Sequence, residues 1–217
     1  MSLTKPRMLV LLALLGIPAV WFLTTGAYGP EDDTASATAD FDFEGEETPI
    51  GEEAWAALED AVWFAEGSED PKRVVYVFLD PQCPYCNLLW RASLPYLEEG
   101  LQVRNIVVAY LTPESTPQAA AILSSDHPQA IHAEHQQAYK QGGIQTDEAS
   151  EAGQRALEVN NALFAKLDIP ATPAIYFRDE TGEVQRVIGF PELSMLATDV
   201  FRMPELPQTD PALAHYQ

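Results

Sequence analysis

The stretch Arg73-Val-Val-Tyr-Val-Phe-Leu-Asp-Pro-Gln-Cys-Pro-Tyr-Cys-Asn87 decides how the rest of the chain is read. Arg73 to Leu79 is a β-branched and aromatic run, the composition of a buried strand. After Asn87, the leucines Leu88, Leu89, Leu94 and Leu97 offer an apolar stripe at helical spacing, and Gly100 closes the helix. The two cysteines of this 217-residue chain therefore fall at a strand–helix junction. Residues three apart on a first helical turn share a face, so the sulfurs of Cys83 and Cys86 can meet at the ~2.05 Å of a disulfide. Cys83 is expected at the helix N-terminus, where unpaired N–H groups and the macrodipole favour a thiolate. Such positions lower a thiol pKa below the free value of about 8.5, and the thiolate is the nucleophile of disulfide exchange. Pro84 suits the first helical position because it has no N–H to leave unpaired. Cys86 lies one turn in and is expected to be the more buried, resolving thiol.

Three other readings of Cys83 and Cys86 compete, one of them a buried pair of unreactive cysteines, which Pro84 and the helix start disfavour because they favour access and reactivity. Zinc needs four ligands, and there is no second CxxC; His132 and His135 lie 46 or more residues beyond Cys86, outside the usual ligand spacing. A structural disulfide would close a very short loop and constrain the unfolded chain little.

Working outward, Leu101–Leu111 reads as a second strand, through Val103, Ile106, Val107 and Val108. Residues 113–168 hold no strand-like run and much Ala, Gln and Glu, which predicts several helices. Pro173–Arg178 is a third strand, Asp179–Gly182 a turn, and Glu183–Ile188 the returning strand of a hairpin. Residues 191–203 make a last short helix. Upstream, Trp55, Leu58, Val62 and Trp63 recur at helical spacing, which predicts an amphipathic helix ended by Gly67. The class is α/β, in the order β-α-β, helical insertion, β-β-α. Thr172-Pro173 stands just before the third strand; cis is the minority state at X–Pro bonds, about 5–6%, so the sequence alone leaves its geometry open.

Four separated pieces agree in order and spacing with a known family: Tyr76-Val-Phe-Leu-Asp-Pro-Gln-Cys-Pro-Tyr-Cys86, Pro113-Glu-Ser115, Ala119-Ala-Ala-Ile-Leu-Ser124 and Ala171-Thr-Pro-Ala-Ile-Tyr176. The chain resembles the thioredoxin fold and, more closely, periplasmic thiol–disulfide interchange proteins of the DsbG/DsbC type. The Cys-Pro-Tyr-Cys motif and the Ala171–Tyr176 run favour the DsbG side. The resemblance covers residues 52–203 and implies a thioredoxin-like fold with a helical insertion between the βαβ and ββα halves. It implies Cys83 as attacking thiol and Cys86 as resolving thiol. Pro173 would be a cis-proline beside the active site, with Thr172, Pro84 and Tyr85 lining the substrate groove. No cofactor beyond the Cys83–Cys86 disulfide is implied. The implied activity is reduction or isomerisation of protein disulfides, or reduction of sulfenylated cysteines, in exported proteins, with an inner-membrane reductant of the DsbD type as partner. A non-catalytic chaperone or assembly module, stapled by a structural CxxC disulfide, is the alternative. Members of the family carry an N-terminal dimerisation domain; here that place holds an apolar segment and an acidic stretch, so a monomer is expected.

Charge divides the chain. The net charge of −21 divides into +2 in residues 1–30, −15 in residues 31–70 and −8 in residues 71–217. That excess excludes nucleic acid, which is met by clustered Lys and Arg. Lys5 and Arg7 precede an uncharged, Leu-rich run from Met8 to Tyr28. Residues 1–28 therefore read as an export signal, either cleaved or kept as an inner-membrane anchor through residues 8–28, which leads to the periplasm. Residues 29–50 form an acidic tether, 51–71 a linker helix, 72–205 the catalytic domain with its insertion at about 113–168, and 206–217 a C-terminal tail. His132, Glu134 and His135 are read as a solvated helix face. Asp80 and Gln82 flank the cysteines and read equally as groups that tune Cys83 and as polar loop residues beside Pro81.

Overall fold

A computed structural model of the protein describes residues 51–146 and 150–216. The export segment expected at 1–28 and the tether at 29–50 lie outside these residues. Among the described residues, no helix is long and apolar enough to cross a membrane.

The strands form one mixed sheet. β1 (Trp63–Gly67), β2 (Arg73–Leu79), β3 (Leu101–Val107), β4 (Ala174–Arg178) and β5 (Val184–Ile188) stand in the order β1-β3-β2-β4-β5. β2 and β3 are parallel and the other neighbours antiparallel. Side chains alternate across a strand, so β2 feeds two cores. Val75, Val77 and Leu79 face α2 (Pro84–Leu97), meeting Leu89, Ala92 and Tyr96. Tyr76 and Phe78 face the other way, against Trp55 and Leu58 of α1 (Glu52–Glu59) and Leu163 and Phe164 of α5 (Glu151–Lys166). Full burial of one such side chain contributes about 1.5–3 kcal/mol. The insertion supplies α3 (Ser115–Leu123), α4 (Pro128–Gln137), a short 3-10 turn (Tyr139–Gln141) and α5. After β5, Leu193–Met195 begins a helix that widens to a π turn at Leu196–Val200.

Three expectations are corrected. The linker helix ends at Glu59, and Trp63 belongs to an edge strand that pairs antiparallel with β3. Local periodicity is overridden there by distant partners. Asn160 of α5, fully buried, accepts the Val62 N–H at 3.1 Å and donates to the Val62 carbonyl at 2.8 Å. Gly67 ends this strand rather than a helix: its φ is +99°, and a Cβ there would overlap the Leu101 carbonyl oxygen. Second, Leu94 is exposed, and the buried stripe of α2 runs through Leu89, Ala92 and Tyr96. Third, the C-terminal stretch is packed. Leu213 is fully buried, and Arg91 of α2 donates to Asp210 at 2.7 Å.

Candidate active site

The site begins where β2 stops. Asp80 is fully buried and accepts four hydrogen bonds. Its Oδ1 takes the Gln82 N–H at 2.8 Å and the Ser115 hydroxyl at 2.7 Å. Its Oδ2 takes the N–H groups of Tyr110 at 2.8 Å and Leu111 at 3.1 Å. A buried carboxylate is tolerable only when satisfied in this way. Asp80 thus ties the turn before the cysteines to the segment after β3, which is more than a polar loop residue does.

Cys83 caps α2 with extended backbone, Pro84 starts the helix, and the Cys83 Sγ accepts the Cys86 N–H at 3.4 Å. Cys83 and Cys86 are free thiols 3.0 Å apart. The Thr172–Pro173 peptide bond is cis, and the Cys83 thiol donates to the Thr172 carbonyl at 3.2 Å. The hydrogen bond from the Cys86 side chain is the largest influence holding the Cys83 pKa down, to about 7. Burial opposes it, while the Thr172 side chain and the N–H groups of Cys86 and Tyr85 assist. Burial pushes the Cys86 thiol well above its ordinary value. The two thiols are therefore split in the sense that exchange chemistry requires. Cys83 and Cys86 are equally exposed, at 3%, so the expectation that Cys86 is the more buried of the two is corrected: both sulfurs lie beneath the surface. Pro84 and Tyr85 are exposed beside Cys83, Tyr85 by half.

The family of thioredoxin-like domains matches residues 64–198. The chain belongs to the thioredoxin-like family. It is 34% identical over 151 residues to the thiol:disulfide interchange protein DsbG of Pseudomonas aeruginosa, covering 69% of this chain and 59% of that protein. It is 34% identical over 154 residues to DsbG of Escherichia coli, covering 68% and 60%. The matched part thus spans about three-fifths of these relatives. Among solved structures, the catalytic domain of Proteus mirabilis ScsC superposes with a TM-score of 0.56 at 23% identity, over 66% of this chain and 93% of that one. A periplasmic thioredoxin-like protein from Salmonella enterica serovar Typhimurium gives 0.55 at 22% identity, over 69% and 94%. These two share the thioredoxin-like fold.

Within that fold, Cys83, Cys86, Thr172 and Pro173 come together, with Pro84 and Tyr85 at the rim. The solvated face expected for α4 is corrected: Glu134 is exposed, but His132 and His135 are buried. The Nδ1 of His135 accepts the Ile144 N–H at 3.3 Å, so its Nε2 carries the proton and donates to the Pro81 carbonyl at 2.8 Å. Burial lowers its pKa, which suits this neutral tautomer. His132 Nδ1 lies 3.2 Å from Glu66 Oε1, and its Nε2 meets the Gln136 amide at 3.0 Å. Among the described residues, no group of three or more His, Cys, Asp or Glu side chains is arranged to hold a metal ion.

Sequence reading missed several supports. Tyr139 donates to the Gln82 carbonyl at 2.9 Å, and the Gln82 amide donates to Gln118 at 2.6 Å. Asn87 donates to Gln136 Oε1 at 2.8 Å. Tyr110 bonds Thr172. No local pattern marks these residues, because each contact spans 36 or more positions.

Proposed function

We propose that this chain is a thiol–disulfide oxidoreductase that reduces or isomerises disulfides of exported proteins through Cys83 and Cys86. The observation that carries the reading is the split pair: one thiol held down to about 7 at a helix N-terminus, its neighbour pushed up by burial. The Cys83 thiolate attacks a substrate sulfur. One substrate sulfur leaves as a thiolate, and a mixed disulfide forms. Cys86, once deprotonated, attacks the Cys83 sulfur and releases the second substrate thiol. Two electrons pass to the substrate and the Cys83–Cys86 disulfide remains. A membrane-bound dithiol reductant of the DsbD type restores the pair. If the substrate's own thiol attacks the mixed disulfide instead, the result is isomerisation. A sulfenylated cysteine is reduced by the same attack, with water as the leaving group.

Thr172, Pro173, Pro84 and Tyr85 would line the substrate groove. Chemistry needs no cofactor beyond the cysteine pair. The basic, apolar residues 1–28 support export to the periplasm, with the chain acting as a monomer there. The test is insulin reduction and scrambled-ribonuclease refolding by the full chain. Cys83→Ser is expected to drop both to background, and Cys86→Ser to trap mixed disulfides. Full activity in both variants, with loss of stability alone, would instead favour a structural staple.

A further inference from the structure

We propose that Glu66, held by His132, takes the proton of Cys86 through one water molecule when Cys86 attacks the mixed disulfide. The inference rests on the reading of Cys86 as the resolving thiol.

Cys86 is buried, and its thiol must lose a proton before it attacks. It lines a small cavity together with Glu66 of β1 and His132 of α4. The cavity offers about 10 Å³, space for one water molecule. Val77, Leu89 and Val103 make much of its wall apolar, and among the described residues that line it Glu66 is the one carboxylate. Glu66 has a second outlook. Its side chain is 11% exposed, and it also lines an open groove with Trp90 and Leu94 of α2 and Ala133 of α4. Glu66 thus stands between the interior cavity and solvent.

Hydrogen bonds fix the protonation state of the pair. Arg91 can only donate, and its Nε gives to Asn87 Oδ1 at 2.9 Å. Asn87 therefore turns its amide nitrogen to Gln136 Oε1, at 2.8 Å. That leaves the Gln136 amide nitrogen to donate to His132 Nε2 at 3.0 Å. Since Nε2 accepts, His132 carries its proton on Nδ1 and donates to Glu66 Oε1 at 3.2 Å. The Trp90 indole N–H donates to the same oxygen at 3.4 Å, and the Asn105 amide donates to Oε2 at 2.9 Å. Glu66 is therefore a carboxylate beside a neutral His132. Its Oε1 is filled by two donors, and Oε2 keeps one lone pair to receive a proton.

The step balances. Oε2 takes the Cys86 proton through the water, and the Cys86 thiolate attacks Cys83 Sγ. The Cys83–Cys86 bond forms, the bond from Cys83 to the substrate sulfur breaks, and the substrate leaves as a thiolate. Glu66 then releases its proton to solvent through the groove. The titratable groups that face it are Cys86 and His132 in the cavity and Glu69 in the groove.

The experiment mixes the reduced full chain with excess dithiobis(nitrobenzoate) and follows nitrothiobenzoate release by stopped flow. Attack by Cys83 gives the first release, at a rate proportional to reagent. Attack by Cys86 gives the second, at a rate independent of it. Wild type, Glu66→Gln, Glu66→Asp and Cys86→Ser are compared from pH 6 to pH 9. At pH 7, Glu66→Gln is expected to slow the second phase by at least about tenfold relative to the first. Its second phase should then climb about tenfold per pH unit, because hydroxide must take the proton, whereas wild type stays flat near neutrality. Glu66→Asp keeps the carboxylate and is expected to slow the second phase by less than about threefold. Removing a nearby negative charge favours the Cys86 thiolate, so a charge effect alone would speed this phase, and a distorted fold would slow both. A Glu66→Gln second phase as fast as wild type or faster overturns the proposal. So does an equal slowing of both phases, or a Glu66→Asp second phase as slow and as steep in pH as that of Glu66→Gln. A single release from wild type, or a second release that survives in Cys86→Ser, would instead overturn the reading of Cys86 on which the proposal rests.

Discussion

The strand–turn–helix of residues 73–97 and the helical insertion of residues 115–166 make opposite use of sequence distance. In the first, the reactive groups are neighbours: Cys83 and Cys86 sit on one helical turn, and the helix N-terminus belongs to the same segment. In the second, nothing reacts, yet its side chains reach back to hold the first. His135 holds the Pro81 carbonyl across 54 positions, Tyr139 the Gln82 carbonyl across 57, and Gln118 the Gln82 amide across 36. The difference teaches that reactivity here is encoded locally and its rigidity remotely. The insertion is therefore a brace for the loop that carries the cysteines, and it can be broken without touching a sulfur.

The largest effect is expected from removing a strut. His135→Ala deletes a fully buried ring with both nitrogens paired and orphans the Pro81 carbonyl and the Ile144 N–H. It should cost about 2–4 kcal/mol, read by urea denaturation. Gly143→Ala strikes the same strut from outside, since its φ is +75° and a Cβ would overlap the His135 ring. A loss of about 2 kcal/mol is expected there by the same measurement.

Breaking the local region gives a different signature, one that depends on pH. The Cys83 pKa is lowered from 9.0 to about 7 in the folded, reduced chain. Its ionised form is the one folding favours. The stabilisation is thus fully present above the unfolded value near 9 and is lost as pH falls through about 7. Between these limits the reduced protein should gain up to about 2–3 kcal/mol relative to Cys83→Ser, measured by denaturation at pH 6 and pH 9. Cys86 acts with the opposite sign above its ordinary value, because its folded pKa is raised. The smallest effect is expected from Gln82→Ala, which removes one half-buried amide contact to Gln118. It should cost about 0.5–1.5 kcal/mol and sharpen the comparison by showing how little one redundant brace contributes.

The same division explains what the sequence made legible. The βαβ and ββα halves, the CxxC at their junction and the Thr172-Pro173 turn all announce themselves within a few residues. Leu101 and Gly100 mark a strand start and a helix end that the structure keeps within three residues. Trp63 reads as helical because its spacing from Trp55 is helical, while its place in a strand is set by pairing with β3 and by Asn160. His132 and His135 read as solvated because α4 is polar in composition; what buries them is β1 and the Pro81 turn. Tyr110 carried no signal, since a tyrosine after a strand acquires its role only when Thr172 arrives from 62 residues away.

The central claim is the split between the two thiols, and it is tested most directly by site-resolved alkylation of the reduced full chain across pH, read by mass spectrometry. The account predicts that Cys83 is labelled with a midpoint at about 7, while Cys86 stays protected to well above 9. Both cysteines labelled together, with one midpoint near 9, would contradict it.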